Sequence, residues 1–150
     1  MHTKILMVCL GNICRSPLAH GILESMVNTD NITVDSAGTS AFHKGEAPDI
    51  RSIGVAEKHH LDISRQQSRQ FLASDFENFN IIYAMDTANK KNILALAKTD
   101  AHKQKVKLIL NESNPGLNLE VPDPYYGGKN GFEDVYQMLY DACTIIAKQL

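Results

Sequence analysis

Cys9, Arg15 and Ser16 lie close together in VCLGNICRSP (residues 8–17), and Asp123 follows far downstream in VPDPYYGG. A thiol, a fixed cation, a hydroxyl and a distant carboxyl have a joint competence. Five residues separate Cys9 from Arg15. Gly11 and Asn12 are residue types that tolerate left-handed backbone. A loop of this length that ends at a helix N-terminus turns several backbone N–H groups toward one point. That makes an anion nest reinforced by the helix dipole. Arg15 adds a planar fork that matches two phosphoryl oxygens. A thiolate is itself an anion, so the field that holds a phosphate also favours the reactive form of Cys9. The Ser16 hydroxyl can donate to it. The chemistry permitted is attack of sulfur on phosphorus, with a covalent thiophosphate intermediate. The leaving oxygen must be protonated and a water later deprotonated, and one carboxyl on a loop can do both. Asp123, stiffened between Pro122 and Pro124, is the candidate. Tyr125 and Tyr126 follow it and can wall a slot for a flat aromatic leaving group.

The surrounding sequence supplies elements that would hold such a loop. KILMVCL (4–10) is a continuous apolar run, as expected of a strand buried on both faces of a parallel sheet. Residues 16–28 follow with Leu18, Ile22, Leu23, Met26 and Val27 at helical spacing and Pro17 in the first turn. ITVDSAG (32–38) predicts a second strand, and 47–59 a helix with Ile50, Ile53 and Val55 inward. NIIYAMD (80–86) predicts a third strand, and 87–98 a helix that buries Ile93, Leu94 and Leu96. KVKLIL (105–110) predicts a fourth strand. A long loop (111–131) and a closing amphipathic helix (132–150) complete the chain, with Cys143 in the core. The expected fold is α/β: a single domain over residues 1–150, with an open parallel four-stranded sheet, helices on both faces and a phosphate-binding loop after strand 1. In such sheets the ligand crevice lies at the carboxyl ends of the strands, and strand 1 is the natural central strand. A loop as long as 111–131 in a compact domain is usually functional.

Bulk properties narrow the partners. The net charge of −2 and pI near 6.3 argue against nucleic acid. The basic run HKQKVK (102–107) reads as a solvated edge. No stretch approaches the ~18 apolar residues of a membrane span, so membrane insertion is not expected. No signal peptide is evident, and three cysteines, Cys9, Cys14 and Cys143, suit reduced thiols in the cytoplasm better than a disulfide framework. The six histidines show no metal-ligand spacing, so no metal and no cofactor are expected.

VCLGNICRSP, DSAGTS, AMD and VPDPYYGG, in this order, resemble the low-molecular-weight protein tyrosine phosphatase family, over roughly residues 4 to 148. A bare Cys-x5-Arg is weak evidence, but joined to Ser16-Pro17 and a distant Asp-Pro-Tyr-Tyr it is strong. The resemblance implies Cys9 as nucleophile, Arg15 as binder of the phosphoryl group and transition state, and Asp123 as general acid and then base. It implies a phosphate loop of Leu10, Gly11, Asn12, Ile13 and Cys14, a hydrogen-bond network of Asn12, Ser16 and Ser36 with Asp86 in support, and a slot lined by Leu10, Ile13, Phe42, Tyr125 and Tyr126. Cys14 matches a second thiol that many relatives pair with the nucleophile on oxidation, a reversible off-switch. Some relatives place a histidine near Arg65, whereas here His59 and His60 lie earlier. The implied partners are phosphotyrosine-containing proteins, and exposed aromatics around the slot would support weak self-association.

Three other functions are weighed. Relatives that act on phosphoarginine carry threonine at the position of Ile13, so isoleucine disfavours that activity. Arsenate reduction on the same loop needs a further cysteine pair, and only Cys143 remains outside it. A non-catalytic phosphotyrosine-binding module would be expected to lack Cys9 or Asp123, and both are present.

Overall fold

The computed structural model describes residues 2–126, 128 and 130–150, with Tyr126 by its backbone alone. The first apolar run forms strand β1 (Thr3–Cys9), buried throughout from Ile5 to Cys9. Side chains alternate across a strand, so Ile5, Met7 and Cys9 enter one core layer and Leu6 and Val8 the other. That is why the run has no polar face. Strands β2 (Ile32–Gly38), β3 (Ile81–Ala84) and β4 (Val106–Leu108) complete a parallel sheet in the order β2-β1-β3-β4. Strand β1 is interior, as expected.

Helices cover both faces. Leu18, Ile22 and Leu23 of α1 (Arg15–Met26), Val55 and Ala56 of α2 (Ile50–Lys58), and Val135, Leu139 and Ile146 of the closing helix meet the Ile5–Met7 face. Phe71, Phe76, Phe79 and Ile93 meet the Leu6–Val8 face. They come from a short helix α3 (Asp75–Asn78), its flanks and α4 (Thr87–Leu94). The expected α/β class and its layers are found.

Three expectations are corrected. Helix α2 begins at Ile50 rather than 47, because Asp49 caps it by accepting the Arg51 N–H. Ile50 stands in the first turn and is 81% exposed, so only Ile53 and Val55 of its apolar set turn inward. Helix α4 stops at Leu94, which leaves Leu96 beyond its end and outside the core. The long loop is also broken up. After α5 (Asp100–Gln104) and β4 come α6 (Leu110–Ser113) and, later, a single 3-10 turn over Pro124–Tyr126. The closing helix is α7 (Gly131–Gln149), with Cys143 fully buried in it. Helices of four or five residues are too short to show a 3.6-residue period.

Among the described residues, no helix is long and apolar enough to cross a membrane.

Candidate active site

The site begins where β1 ends. Cys9 pairs with Gly38 in the β1–β2 register, and Thr39 and Ser40 donate their N–H groups to the carbonyls of Cys9 and Leu10, each at 2.9 Å. The chain then turns through Leu10–Cys14 and enters α1 at Arg15. Of the two residues suited to left-handed backbone, Asn12 adopts it (φ 56°). Gly11 serves for room instead: a Cβ there would stand 3.0 Å from His43 Cδ2.

The loop is gripped from outside. Ser68 Oγ donates to the Gly11 carbonyl (2.9 Å), the Asp49 N–H to that of Ile13 (2.8 Å), and Ser52 Oγ to that of Cys14 (3.2 Å). Asn12 Oδ1 accepts the Arg69 N–H at 3.1 Å. In a trans peptide the carbonyl and the next N–H point opposite ways, and no peptide here is cis. Carbonyls drawn outward at residues 11, 13 and 14 therefore turn the N–H groups of Asn12, Cys14 and Arg15 inward. The Asn12 N–H does reach Cys9 Sγ, at 3.3 Å. Those of Cys14 and Arg15 belong to the first turn of α1, where helical geometry leaves N–H groups without intrahelical partners, and no side chain caps this helix.

Cys9 Sγ also lies 3.0 Å from Ser16 Oγ. Asn12 Nδ2 donates to that same Oγ at 2.8 Å, so the Ser16 proton is left for the sulfur, with the Ala37 carbonyl further off at 3.4 Å. Cys9, Asn12 and Ser16 are all buried. Cys14 is buried too, and its thiol is pushed up to about 12, first by burial, then by the charges of Asp49, Cys9 and Asp123.

Arg15 is buried and donates through Nη1 to Asp86 Oδ2 (2.7 Å) and to the Val121 carbonyl (3.0 Å). Burial pulls against its charge, but Cys9 and Asp86 outweigh burial, and the guanidinium is held more firmly protonated than usual. Asp86 has two roles at once. Its Oδ1 caps α4 by accepting the Asn89 N–H at 2.7 Å, while Oδ2 holds Arg15. The segment bearing Asp123 is moored nearby: the Val121 N–H donates to Met85 O (2.9 Å), and Glu120 accepts both the N–H and the hydroxyl of Thr87. Asp123 is half-buried, and its Oδ1 accepts the Tyr125 N–H at 3.0 Å.

A cleft of about 800 Å³ opens over this loop and brings Cys9, Leu10, Gly11, Ile13, Cys14, Arg15, Phe42, Asp123 and Tyr125 to one place. Phe42 (84% exposed), Tyr125 (59%) and Leu10 (51%) form an apolar rim. The side chain of Tyr126 lies outside the described residues. Ser36 stands apart from the loop. It pairs with Met7, two positions before the strand end, and its hydroxyl bonds His20 Nδ1 at 3.1 Å. The Cys9–Asn12–Ser16 cluster closes without it. His59 lies elsewhere, bonded to Glu133 at 2.9 Å and stacked on Tyr136. His60 follows the end of α2 in left-handed backbone, and Arg65 is exposed beside a separate cleft.

The scaffold residues Asp49, Ser52, Ser68 and Arg69, and His43 over Gly11, were not singled out in the sequence. Asp49 alone carried a signal, as a helix-capping type ahead of an apolar-periodic segment.

The profile of the family described as low molecular weight phosphotyrosine protein phosphatase matches residues 4–150. The chain belongs to this family. The family's Schizosaccharomyces pombe member, a low molecular weight phosphotyrosine protein phosphatase, is 41% identical over 92% of this chain and 90% of its own. A protein tyrosine phosphatase from Entamoeba histolytica, crystallised with Hepes in the active site, superposes with a TM-score of 0.91 at 37% identity, covering 98% of this chain and 96% of that one. A Drosophila arginine phosphatase superposes at 0.88 with 29% identity, covering 98% and 97%. The same fold is thus found in proteins named as tyrosine and as arginine phosphatases.

Proposed function

We propose that this chain hydrolyses phosphotyrosine in proteins through a cysteinyl-phosphate intermediate on Cys9. One observation carries the reading: a buried sulfur faced by Ser16 Oγ and the Asn12 N–H, in a loop whose carbonyls are drawn outward, in the same cleft as Arg15 and Asp123. The phosphoryl group sits in the nest, where the inward N–H groups and the Arg15 fork take its oxygens. Cys9 Sγ attacks phosphorus and the P–O bond to the tyrosine breaks. Asp123 gives its proton to the departing phenolate oxygen. Asp123 then takes a proton from a water that attacks the thiophosphate, releasing phosphate and restoring the thiolate. Ser16 and Asn12 stabilise the sulfur when it leaves, and Asp86 keeps Arg15 aimed. Leu10, Ile13, Phe42 and Tyr125 wall the aromatic ring.

Ile13 lines the cleft with an aliphatic side chain, which favours a phenolic ester over a phosphoarginine. The test is phosphate release from peptides bearing phosphotyrosine, phosphoserine or phosphoarginine, under reductant and with chelator. Turnover of the phosphotyrosine peptide alone supports the reading. Faster turnover of phosphoarginine would replace it with the second phosphoamino acid, and binding without turnover would replace it with a recognition module.

Three cysteines, odd in number and few, support action in a reducing compartment such as the cytoplasm. Cys14 stands just before α1 in the same loop as Cys9, which supports a redox role. Peroxide oxidises the Cys9 thiolate to a sulfenic acid. The Cys14 thiol then displaces water from it to form a disulfide, which a dithiol reduces. The expected result is that activity lost to peroxide returns with dithiothreitol in the wild type but not in Cys14→Ser. Equal recovery in both would remove Cys14 from this role.

A further inference from the structure

Arg51 stands on the cleft's flank, and no step above uses it. The Asp49 carboxylate grips it with both oxygens: Nε donates to Oδ1 at 3.0 Å and Nη2 to Oδ2 at 2.9 Å. The same Asp49 donates its backbone N–H to the Ile13 carbonyl, inside the phosphate loop. The Arg51 guanidinium lies over two aromatic rings at once, 4.8 Å from the centroid of Tyr125 and 4.7 Å from that of Phe132. Tyr125 in turn donates its backbone N–H to Asp123 Oδ1. An unbroken line of contacts therefore runs from the phosphate loop through Asp49 and Arg51 to Tyr125 and the candidate acid.

The position makes physical sense of the residue types. Asp123 lies in a segment without regular hydrogen bonding, between Val121 and the 3-10 turn. Its upstream side is moored by Glu120 and Val121. Downstream, Gly128 takes a left-handed backbone (φ 70°) shortly before α7 begins at Gly131. A guanidinium fixed in its plane by a bidentate carboxylate offers a flat cationic face, and an aromatic ring binds such a face. A lysine ammonium has no such plane.

We propose that Arg51 is a positioning residue for the general acid: by stacking on Tyr125 while held by Asp49, it fixes Asp123 relative to the phosphate loop. This rests on the phosphatase reading above. Arg51 is not among the residues that line the cleft, and it meets Asp49, Tyr125 and Phe132, so its effect is expected on proton delivery and not on phosphate binding.

Leaving-group dependence separates that role from a merely structural one. Phenolate is a poor leaving group and needs the proton, whereas 4-nitrophenolate leaves largely without it. For Arg51→Ala, kcat/KM on phenyl phosphate is expected to fall about 10-fold, against less than about 3-fold on 4-nitrophenyl phosphate. Inhibition by inorganic phosphate should stay within about 2-fold of wild type. Arg51→Lys should restore less than half of the phenyl phosphate loss, since the charge returns without the plane. Equal losses on the two esters, or weakened phosphate inhibition in proportion to the loss, would overturn the assignment, as would full rescue by lysine. Thermal melting of each variant accompanies the kinetics, and a loss that tracks the folded fraction also overturns it. A wild type that turns over neither ester would sink the phosphatase reading itself, whereas an active wild type indifferent to Arg51 would sink only this one.

Discussion

Cys9→Ser is expected to abolish phosphate release from phosphotyrosine peptides while leaving their binding within a few-fold of wild type. The serine hydroxyl can still take the Asn12 N–H and the Ser16 hydroxyl as partners, since both already face this position. The loop is held by Ser52, Ser68, Asp49 and Arg69, none of which touches the sulfur, so the cradle keeps its shape. What disappears is the nucleophile. Sulfur is intrinsically a strong nucleophile, whereas a serine hydroxyl needs an adjacent general base. The groups that meet the Cys9 sulfur, Ser16 Oγ and the Asn12 N–H, are donors and supply none. The measurement is twofold: initial rates of phosphate release, and calorimetric titration with a phosphotyrosine peptide. Residual turnover above a few per cent would remove Cys9 from the chemistry. Lost binding with normal folding would mean that the sulfur itself shapes the cradle.

Asp123→Asn is expected to slow the reaction by roughly 10²–10⁴-fold, the range for loss of a positioned general acid–base group. Asparagine keeps the size, and its Oδ1 can still accept the Tyr125 N–H that now fixes Asp123, so the segment is not released. Only the transferable proton is lost. The deficit should shrink as the leaving phenol becomes more acidic, because a better leaving group needs the proton less. A uniform deficit across leaving groups would demote Asp123 to a structural turn residue between its prolines.

The layers of the fold were legible because their residues obey strict periods. Residues 5–9 have no polar face, and the structure places them inside the sheet with core on both sides, while Lys4 and Leu10 at the ends of the run are exposed. Periodicity failed where a cap or a helix end intervened. Ile50 fits the apolar pattern of α2, but Asp49 starts the helix one residue earlier and leaves that position facing solvent. Leu96 fits the pattern of α4, but the helix has ended by then. At the site, the residues of the 9–16 stretch could be read because chemistry and spacing coincide within one loop. Asp86 could be read as either a cap or a support, and the two oxygens of its carboxylate serve both. Ser52, Ser68 and Arg69 were not legible. Ser52 and Ser68 give their hydroxyls to backbone carbonyls of the loop, which any hydroxyl in reach could do, and Arg69 lends only its backbone N–H, so none of the three follows a motif. Ser36 was expected to join the network by its place in DSAGTS, but the strand register sets it opposite Met7 and turns it to His20.

The outward grip on the phosphate loop has a consequence for how the molecule is made. The bonds that hold residues 11 to 14 come from partners 36 to 57 positions away in the chain: Asp49 at 36, Ser52 at 38, Ser68 and Arg69 at 57. Contacts so distant in sequence form only after the cost of closing the intervening chain has been met. During synthesis the thiol and the arginine emerge ahead of these partners, in a segment with no cradle around it. Competence arrives when the chain beyond residue 69 has folded back, and with the acid only when residue 123 is in place. An emerging or partly unfolded chain thus carries the thiol and the cation without the means to dephosphorylate anything, and catalytic power is acquired as a late step of assembly.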